Sequence, residues 1–448
     1  MKYYSDTLPF FSIEEMPVFL LNVLLIYLLV RPKYKKYKHT PVGYYFRVGI
    51  FLKLLAGLLH FAIYKYYFLY GDTLNYYSGI LDLRKALAYN PNSFLSLLFE
   101  DRAHNDPVTA GFLRSTIHIG LEERITMRFG LFFSYPAFNY FISLGLWYSL
   151  FAFFGLWRLF KILIDIFPKY IPLAGITCFI IPSILIWSCS ISKDALTVGG
   201  LGILASTFYW IFIKGKYKFW DLILFLGMIM FVGGIKGFIV VIFLASSIFW
   251  IVLNKTEKIR NFKLRVLARP FFFVFFLALG FGGTILFQRN SLIEQAAVED
   301  AMSEMEVYNQ YQSSEKVARS RYSIGEFNAS IAGILRIMPA AINVTLFRPY
   351  PTDITSVGVL FASLESTLAL AFFIFLLYKV GILFFFKTLF GHNFLIFCLI
   401  FTIFYSTVVG ISSGNFGALM RYKIPCMPFF YYILGYIYFS RIRKFIPV

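Results

Sequence analysis

The sequence predicts an all-α fold, a polytopic transmembrane helical bundle of about eleven spans, and three observations carry that prediction. Of 448 residues, 59% are hydrophobic and only 15% are charged, where a soluble domain carries about 25%. Apolar runs of roughly 20 residues, the length that carries a helix across about 30 Å of hydrocarbon, recur along the whole chain. Basic residues gather in short intervals between those runs. The formal charge of +19 therefore reads as an orientation signal and not as a nucleic-acid surface.

The spans are expected near 16–31, 45–69, 132–157, 171–190, 195–213, 219–235, 238–253, 270–287, 356–379, 392–411 and 424–440, with a half-span at 331–347. The first follows Glu14 and Glu15, lacks a small-residue cleavage site and is trailed by basic residues, so it reads as a retained span. The pair at 219–253 is broken by Gly233-Gly234-Ile235-Lys236-Gly237. Four basic clusters set the topology: Arg31 to Lys38, Lys214 to Lys218, Lys255 to Arg269, and Arg441 to Lys444. Eleven spans place all four on the cytoplasmic side, with the N-terminus outside and the C-terminus inside. The whole chain, 1–448, then forms one membrane domain with two external segments. Segment 70–131 carries amphipathic pieces at Leu81 to Leu87 and Phe94 to Phe99, suited to the membrane interface. Segment 288–355 carries a Glu-rich helical stretch from Ser291 to Ala318 and is long enough to dock a partner.

The 56 Phe and 31 Tyr fit lipid-facing bulk and interfacial belts. Cys178, Cys189, Cys398 and Cys426 have no metal-type spacing and read as small core residues. His60 and Lys53 share a helix face, but no second histidine stands near to complete a metal site. Gly199-Gly200-Leu201-Gly202 lies inside a span, where glycines signal close helix packing. No phosphate-cradling Gly-rich loop and no HExxH or GxSxG motif is present, so no nucleotide, metal or other cofactor is called for.

Charge beside a bilayer is costly to keep and marks candidate sites. Gly71-Asp72-Thr73-Leu74-Asn75-Tyr76-Tyr77 follows the second span. Asp72 suits a general base tuned by partial burial, or a helix N-cap; Tyr76 and Tyr77 are candidate substrate contacts. In Ser192-Lys193-Asp194, Ser192 can cap the next helix, while Lys193 and Asp194 occupy its first turn, where exposed N–H groups favour anions. Arg348 and Arg421 each precede a Pro-containing start of a span, and guanidinium forks suit phosphate; snorkelling to head groups is the plainer role. Glu365 lies within an apolar span and needs a partner, for which Lys236 is a candidate. Asn415 begins the Asn-x-Gly element that leads to Arg421.

An external Asp-x-x-x-Tyr element after a span resembles membrane-embedded glycosyltransferases of the GT-C type and the Wzy-like and EpsG-like polysaccharide polymerases. The elements Trp187 to Asp194, Arg348-Pro349 with Glu365, and Asn415 to Tyr422 look like motifs of bacterial membrane proteins tied to surface-polysaccharide synthesis. The acidic motif here follows the second span, where the GT-C pattern has it after the first, and the paired acid of that pattern is absent. The resemblance implies a transferase or polymerase in the bacterial inner membrane. It would take a polyprenyl-phosphate-linked sugar as donor and a glycan or glycolipid as acceptor, with other polysaccharide-assembly proteins as partners. Asp72 would be the base, Asp194 and Glu365 would orient the site, and Lys193, Arg348, Arg421, Lys236, Asn415, Tyr76 and Tyr77 would bind substrate. A lipid-linked glycan flippase or other multi-span transporter is the alternative, because the helix break beside Lys236 and the buried charge of Glu365 suit transport.

Overall fold

A computed structural model of the chain describes residues 13–69, 71–93, 121–256, 320–325 and 331–442. The expected span 270–287, the amphipathic piece at 94–99 and the Glu-rich stretch at 291–318 lie outside the described residues. Among the described residues the protein is all-α, with one isolated antiparallel bridge between Arg321 and Asn415. Among the described residues six helices are long and apolar enough to cross a membrane: Ile13–Tyr37, Pro41–Phe68, Lys193–Ile213, Phe219–Thr256, Val357–Val380 and Asn393–Ser413. The chain divides into two compact units, Met1–Phe238 and Ile239–Val448.

The first unit begins with α1 (Met16–Tyr37) and α2 (Pro41–Ile63). One face of α1 exposes Leu20, Leu24 and Leu28, an arrangement suited to hydrocarbon and not to water. A π-helical turn, Tyr64–Phe68, ends α2, and the chain reverses through Leu69 (φ 62°) and Gly71 (φ 122°). Only glycine adopts the Gly71 conformation readily, and this turn delivers Asp72 as the first residue of α3 (Asp72–Tyr89).

α4 (Leu121–Ser134) lies against α3. The expected interfacial face of 81–87 is instead core: Ile80, Leu83, Ala86 and Leu87 pack with Met127 and Leu131 of α4 and with Phe141, Leu144 and Tyr148. The span expected at 132–157 starts later, as α5 (Phe141–Ile166). Pro136 cannot continue α4, and Phe138 and Asn139 turn the chain with positive φ. The span expected at 171–190 is two short helices, α6 (Ile171–Phe179) and α7 (Pro182–Trp187), because Pro182 supplies no N–H to the preceding turn. All of α8 (Lys193–Phe208) is buried.

The glycines of α8 seat it against α5. A Cβ on Gly155 would lie 2.1 Å from the Gly199 carbonyl oxygen, and one on Gly202 would lie 2.2 Å from that of Gly155. The expected pair at 219–253 appears as two helical rods that run on from one another, labelled together α9 (Phe219–Thr256), with non-helical backbone at Lys236 (φ −149°, ψ 85°) inside the expected break. A straight helix of this length would run roughly 57 Å at 1.5 Å per residue, about twice the hydrocarbon thickness. The break therefore separates two usable rods without an intervening loop.

The second unit holds the C-terminal half of α9 together with α10 (Ile331–Phe347), α11 (Val357–Val380), α12 (Ile382–Phe390), α13 (Asn393–Ser413), α14 (Phe416–Tyr422) and α15 (Met427–Ile442). α10 fulfils the expected half-span, and α11 and α13 fall within a residue or two of expectation. Its core is aromatic: Phe397 and Phe401 stand edge-on to Phe429, with Trp250 stacked on Phe397. α11 exposes Phe361, Leu364, Leu368 and Phe375 along one stripe, as a lipid-facing helix would.

Candidate functional site

In the first unit three helix N-termini present their charged residues to one another. Ser192 caps α8, its Oγ accepting from the Ala195 N–H at 3.1 Å and donating to the Cys189 carbonyl at 2.9 Å. The approach to that cap is fixed from two sides. Ser149 Oγ accepts from the Ser190 N–H at 3.0 Å. Buried Lys53 donates to the Ile184 and Leu185 carbonyls at 3.0 and 3.2 Å and to Ser188, tying down the last carbonyls of α7. Lys193 and Asp194 are thus held in the first turn of α8 by a built support.

Lys193 Nζ donates to Glu122 at 3.0 Å and to Glu123 at 3.3 Å, both in the first turn of α4. Lys236 Nζ reaches Asp194 Oδ1 at 2.8 Å, and this pair is buried, with side chains 6% and 4% exposed. The carboxylate that Lys236 finds is therefore Asp194, and not the Glu365 that the sequence offered as its partner. Gly234, two residues before the helix break, faces Ile125 of α4. Tyr76, buried one turn into α3, feels the charges of Lys193, Asp72, Glu123 and Asp194. Burial raises the Tyr76 phenol well above its usual range; Lys193 opposes the rise, and Asp72, Glu123 and Asp194 add to it. Tyr76 is consequently a neutral hydrogen-bond donor across the physiological range.

Each acid here stands in the first turn of a helix: Asp72 on α3, Glu122 and Glu123 on α4, Asp194 on α8. Asp72 does not serve as the N-cap. That position is Gly71, with no capping side chain, and Asp72 is half-buried. The neighbouring Thr73 Oγ1 is buried without a hydrogen-bond partner among the described residues. Tyr77 has a structural task, its hydroxyl donating to the Asn139 carbonyl at 2.7 Å.

Glu122 and Glu123 are the members of this cluster that sequence reasoning missed. The available signal was a pair of acids opening an apolar helical stretch, Leu121-Glu122-Glu123-Arg124-Ile125. Nothing in the spacing links them to a lysine 70 residues away.

The second unit gathers the other candidates. Arg348 is a correction: its fork is filled by a bidentate pair with Asp353, Nε to Oδ2 at 2.9 Å and Nη2 to Oδ1 at 2.7 Å. The Arg348 guanidinium also lies over the rings of Phe416 and Tyr350, so it holds the α10–α11 turn and is not a ready phosphate clamp. Asn415 caps α14, accepting from the Ala418 N–H at 2.9 Å. Glu365 accepts from Tyr431 at 3.1 Å. Lys423, not singled out from sequence, is buried and donates to Ser366 at 2.9 Å within electrostatic reach of Glu365. Arg421 is half-buried, its guanidinium 5.9 Å from the Tyr422 ring centre.

For Asp353, burial would raise the carboxyl pKa, but the Arg348 hydrogen bonds, the Tyr350 N–H and the Arg348 charge together hold it below the usual value. A depressed pKa contributes stability that is present above the unfolded value of about 3.9 and is lost as pH falls below that value through the lower folded pKa. Wild type is therefore expected to melt above Asp353→Asn at pH 6, with the gap closing below about pH 4. Melting curves across that range check this, and a gap independent of pH would remove the ion pair as its cause.

All four cysteines are buried and free. Among the described residues no group of three His, Cys, Asp or Glu side chains is placed to hold a metal ion. No protein family matches the chain, and comparison with curated proteins and with solved structures finds no match.

Proposed function

We propose that this integral membrane protein is a transferase that moves a sugar or oligosaccharide from a polyprenyl-phosphate carrier to a glycan or glycolipid acceptor. The reaction is placed at the outer face of a bacterial inner membrane, in surface-polysaccharide assembly. The observation that carries this reading is the meeting of Asp72, Tyr76, Lys193 and Asp194 at converging helix N-termini. The chemistry assigned to them follows from their types. Asp72 takes the proton of the acceptor hydroxyl as its oxygen attacks the anomeric carbon. The new C–O bond forms as the bond to the phosphate oxygen breaks, and the electron pair leaves with the carrier phosphate. Tyr76, as a donor, and the acids around it suit sugar hydroxyls. Four carboxylates around two ammonium groups make a poor phosphate clamp, so Lys193 and the N–H groups of α8 supply local positive potential only. This reading retains the topology of eleven spans with the N-terminus outside.

The test is a deletion strain complemented with wild type or with Asp72→Asn at matched expression, with lipid-linked and surface glycans resolved on gels. Loss of a general base costs about 10²–10⁴-fold in rate. Long surface glycan is therefore expected to disappear while a lipid-linked precursor accumulates. Normal glycan from Asp72→Asn would remove Asp72 from the mechanism.

One observation favours a second reading. The buried Lys236–Asp194 pair sits at a helix break, and broken helices with paired charges recur in transporters. A flippase would leave the precursor on the inner leaflet of the mutant, shielded from lectin added to intact spheroplasts. A transferase would leave it exposed.

A further inference from the structure

At the end of α11 remote from the Arg348 turn, the second unit has a cleft of about 360 Å³ lined by Lys379, Val380, Tyr438, Arg441 and Ile442. Lys379 stands in the last turn of α11 and Arg441 in the last turn of α15. The Arg441 guanidinium lies 5.0 Å from the ring centre of Phe384 in α12. The ring of Tyr438 is held against Phe372 and Phe375. Among the described residues no acidic side chain lines the cleft. Each helix C-terminus carries about half a negative charge, so two full positive charges leave the cleft cationic.

Its depth follows from helix length. α11 is an apolar helix of 24 residues, roughly 36 Å long at 1.5 Å per residue, against about 30 Å of hydrocarbon. Lys379, next to last in that helix, falls at the level of the head groups, and Tyr438 is of the residue type that populates that layer. Beside the cleft, Phe375, Tyr378, Ile382 and Phe439 are exposed. A water-soluble anion would have no use for such an apolar border, whereas the acyl chains of a lipid would cover it.

We propose that the cleft between the last turns of α11 and α15 binds the head group of an anionic phospholipid. Lys379 and Arg441 contact the phosphate, Tyr438 contacts the glycerol region, and the acyl chains run along the exposed apolar flank of α11. The proposal is independent of the transferase reading, because it uses none of the residues of that site.

The test uses the purified full-length protein, delipidated in detergent, with native mass spectrometry counting retained phosphatidylglycerol or phosphatidylcholine. A cation near an anionic lipid is worth about fivefold in binding, so the pair is worth roughly thirtyfold. Wild type is expected to retain phosphatidylglycerol in preference to phosphatidylcholine, and Lys379→Gln with Arg441→Gln to abolish the preference. Lys387→Gln, an exposed cation on α12 outside the cleft, should keep it. Ile442→Trp fills the cleft without changing charge and should also lose it. Equal retention of the two lipids by wild type, or equal loss in Lys387→Gln and the double variant, would overturn the proposal. So would displacement of the lipid by inorganic phosphate alone. Monodisperse elution of each variant on size exclusion separates lost binding from lost folding.

Discussion

Replacing Asp194 by asparagine is expected to cost about 3–5 kcal/mol of stability, the usual consequence of stranding one member of a buried ion pair. The Lys236 ammonium, 2.8 Å from Asp194 Oδ1 and 6% exposed, would then lie in a low-dielectric interior beside a neutral amide. It also sits where α9 loses its helical backbone, so the disturbance would reach the joint between two rods. Lys236→Met should be milder. The Asp194 carboxylate left behind stays in the first turn of α8, whose N-terminal dipole offsets about 0.3–1 kcal/mol of its cost. Asp194→Asn combined with Lys236→Met removes both charges at similar volume and should recover most of the folded yield, since neutral replacement of a whole buried pair is often close to neutral. Denaturation midpoints of the four proteins in one detergent read this cycle. A double variant as unstable as Asp194→Asn would mean that Asp194 serves something other than Lys236. On the proposed transferase reading, a double variant that folds and makes no glycan would place the pair in the mechanism as well as in the fold.

The parts of this molecule legible in the sequence are those whose signal is local. α11 and α13 are long apolar stretches with polar borders, interrupted in α11 only around Glu365, and they fall within a residue or two of expectation. The Ser192 cap, the break near Gly233 to Gly237 and the close approach at Gly199 to Gly202 each follow from what one residue type does to its own backbone. The parts that were not legible depend on a partner distant in sequence. Lys193 is held by Glu122 and Glu123 through a fold that no spacing reveals. The amphipathic face of α3 reads equally as interfacial or as core, and only the presence of α4 decides for core. Arg348 misled in the opposite direction. Its carboxylate is only five residues away, but the turn that folds Asp353 back onto it is not part of any periodic element. Proline produced the remaining errors: at Pro136 and Pro182 the apolar run continues while the helix cannot.

The largest packing effect is expected at Gly155. An alanine Cβ there would sit 2.1 Å from the carbonyl oxygen of Gly199, 2.4 Å from its Cα and 2.6 Å from its carbonyl carbon. All three are backbone atoms, so no side chain can rotate away and the two helices must separate. Overpacking a core usually costs 1–3 kcal/mol because side chains yield; with backbone on both sides, about 3 kcal/mol or more is expected. α8 cannot retreat cheaply, because all of it is buried. Gly202→Ala meets the Gly155 backbone at 2.2 Å and should behave in the same way. Gly227→Ala in α9 is the control: a Cβ there meets nothing within 4 Å, and alanine in a helix is favoured over glycine by roughly 0.5–1 kcal/mol. Folded yield and denaturation midpoint should therefore fall sharply for Gly155→Ala and hold or rise for Gly227→Ala. Equal behaviour of the two would mean that the α5–α8 contact is looser than its backbone distances imply. The functional consequence is directional. Lys193 and Asp194 ride on the first turn of α8, so a helix pushed from α5 carries them relative to Asp72 and Tyr76 on α3. If the protein is the proposed transferase, any Gly155→Ala protein that still folds should lose glycan synthesis before it loses its place in the membrane.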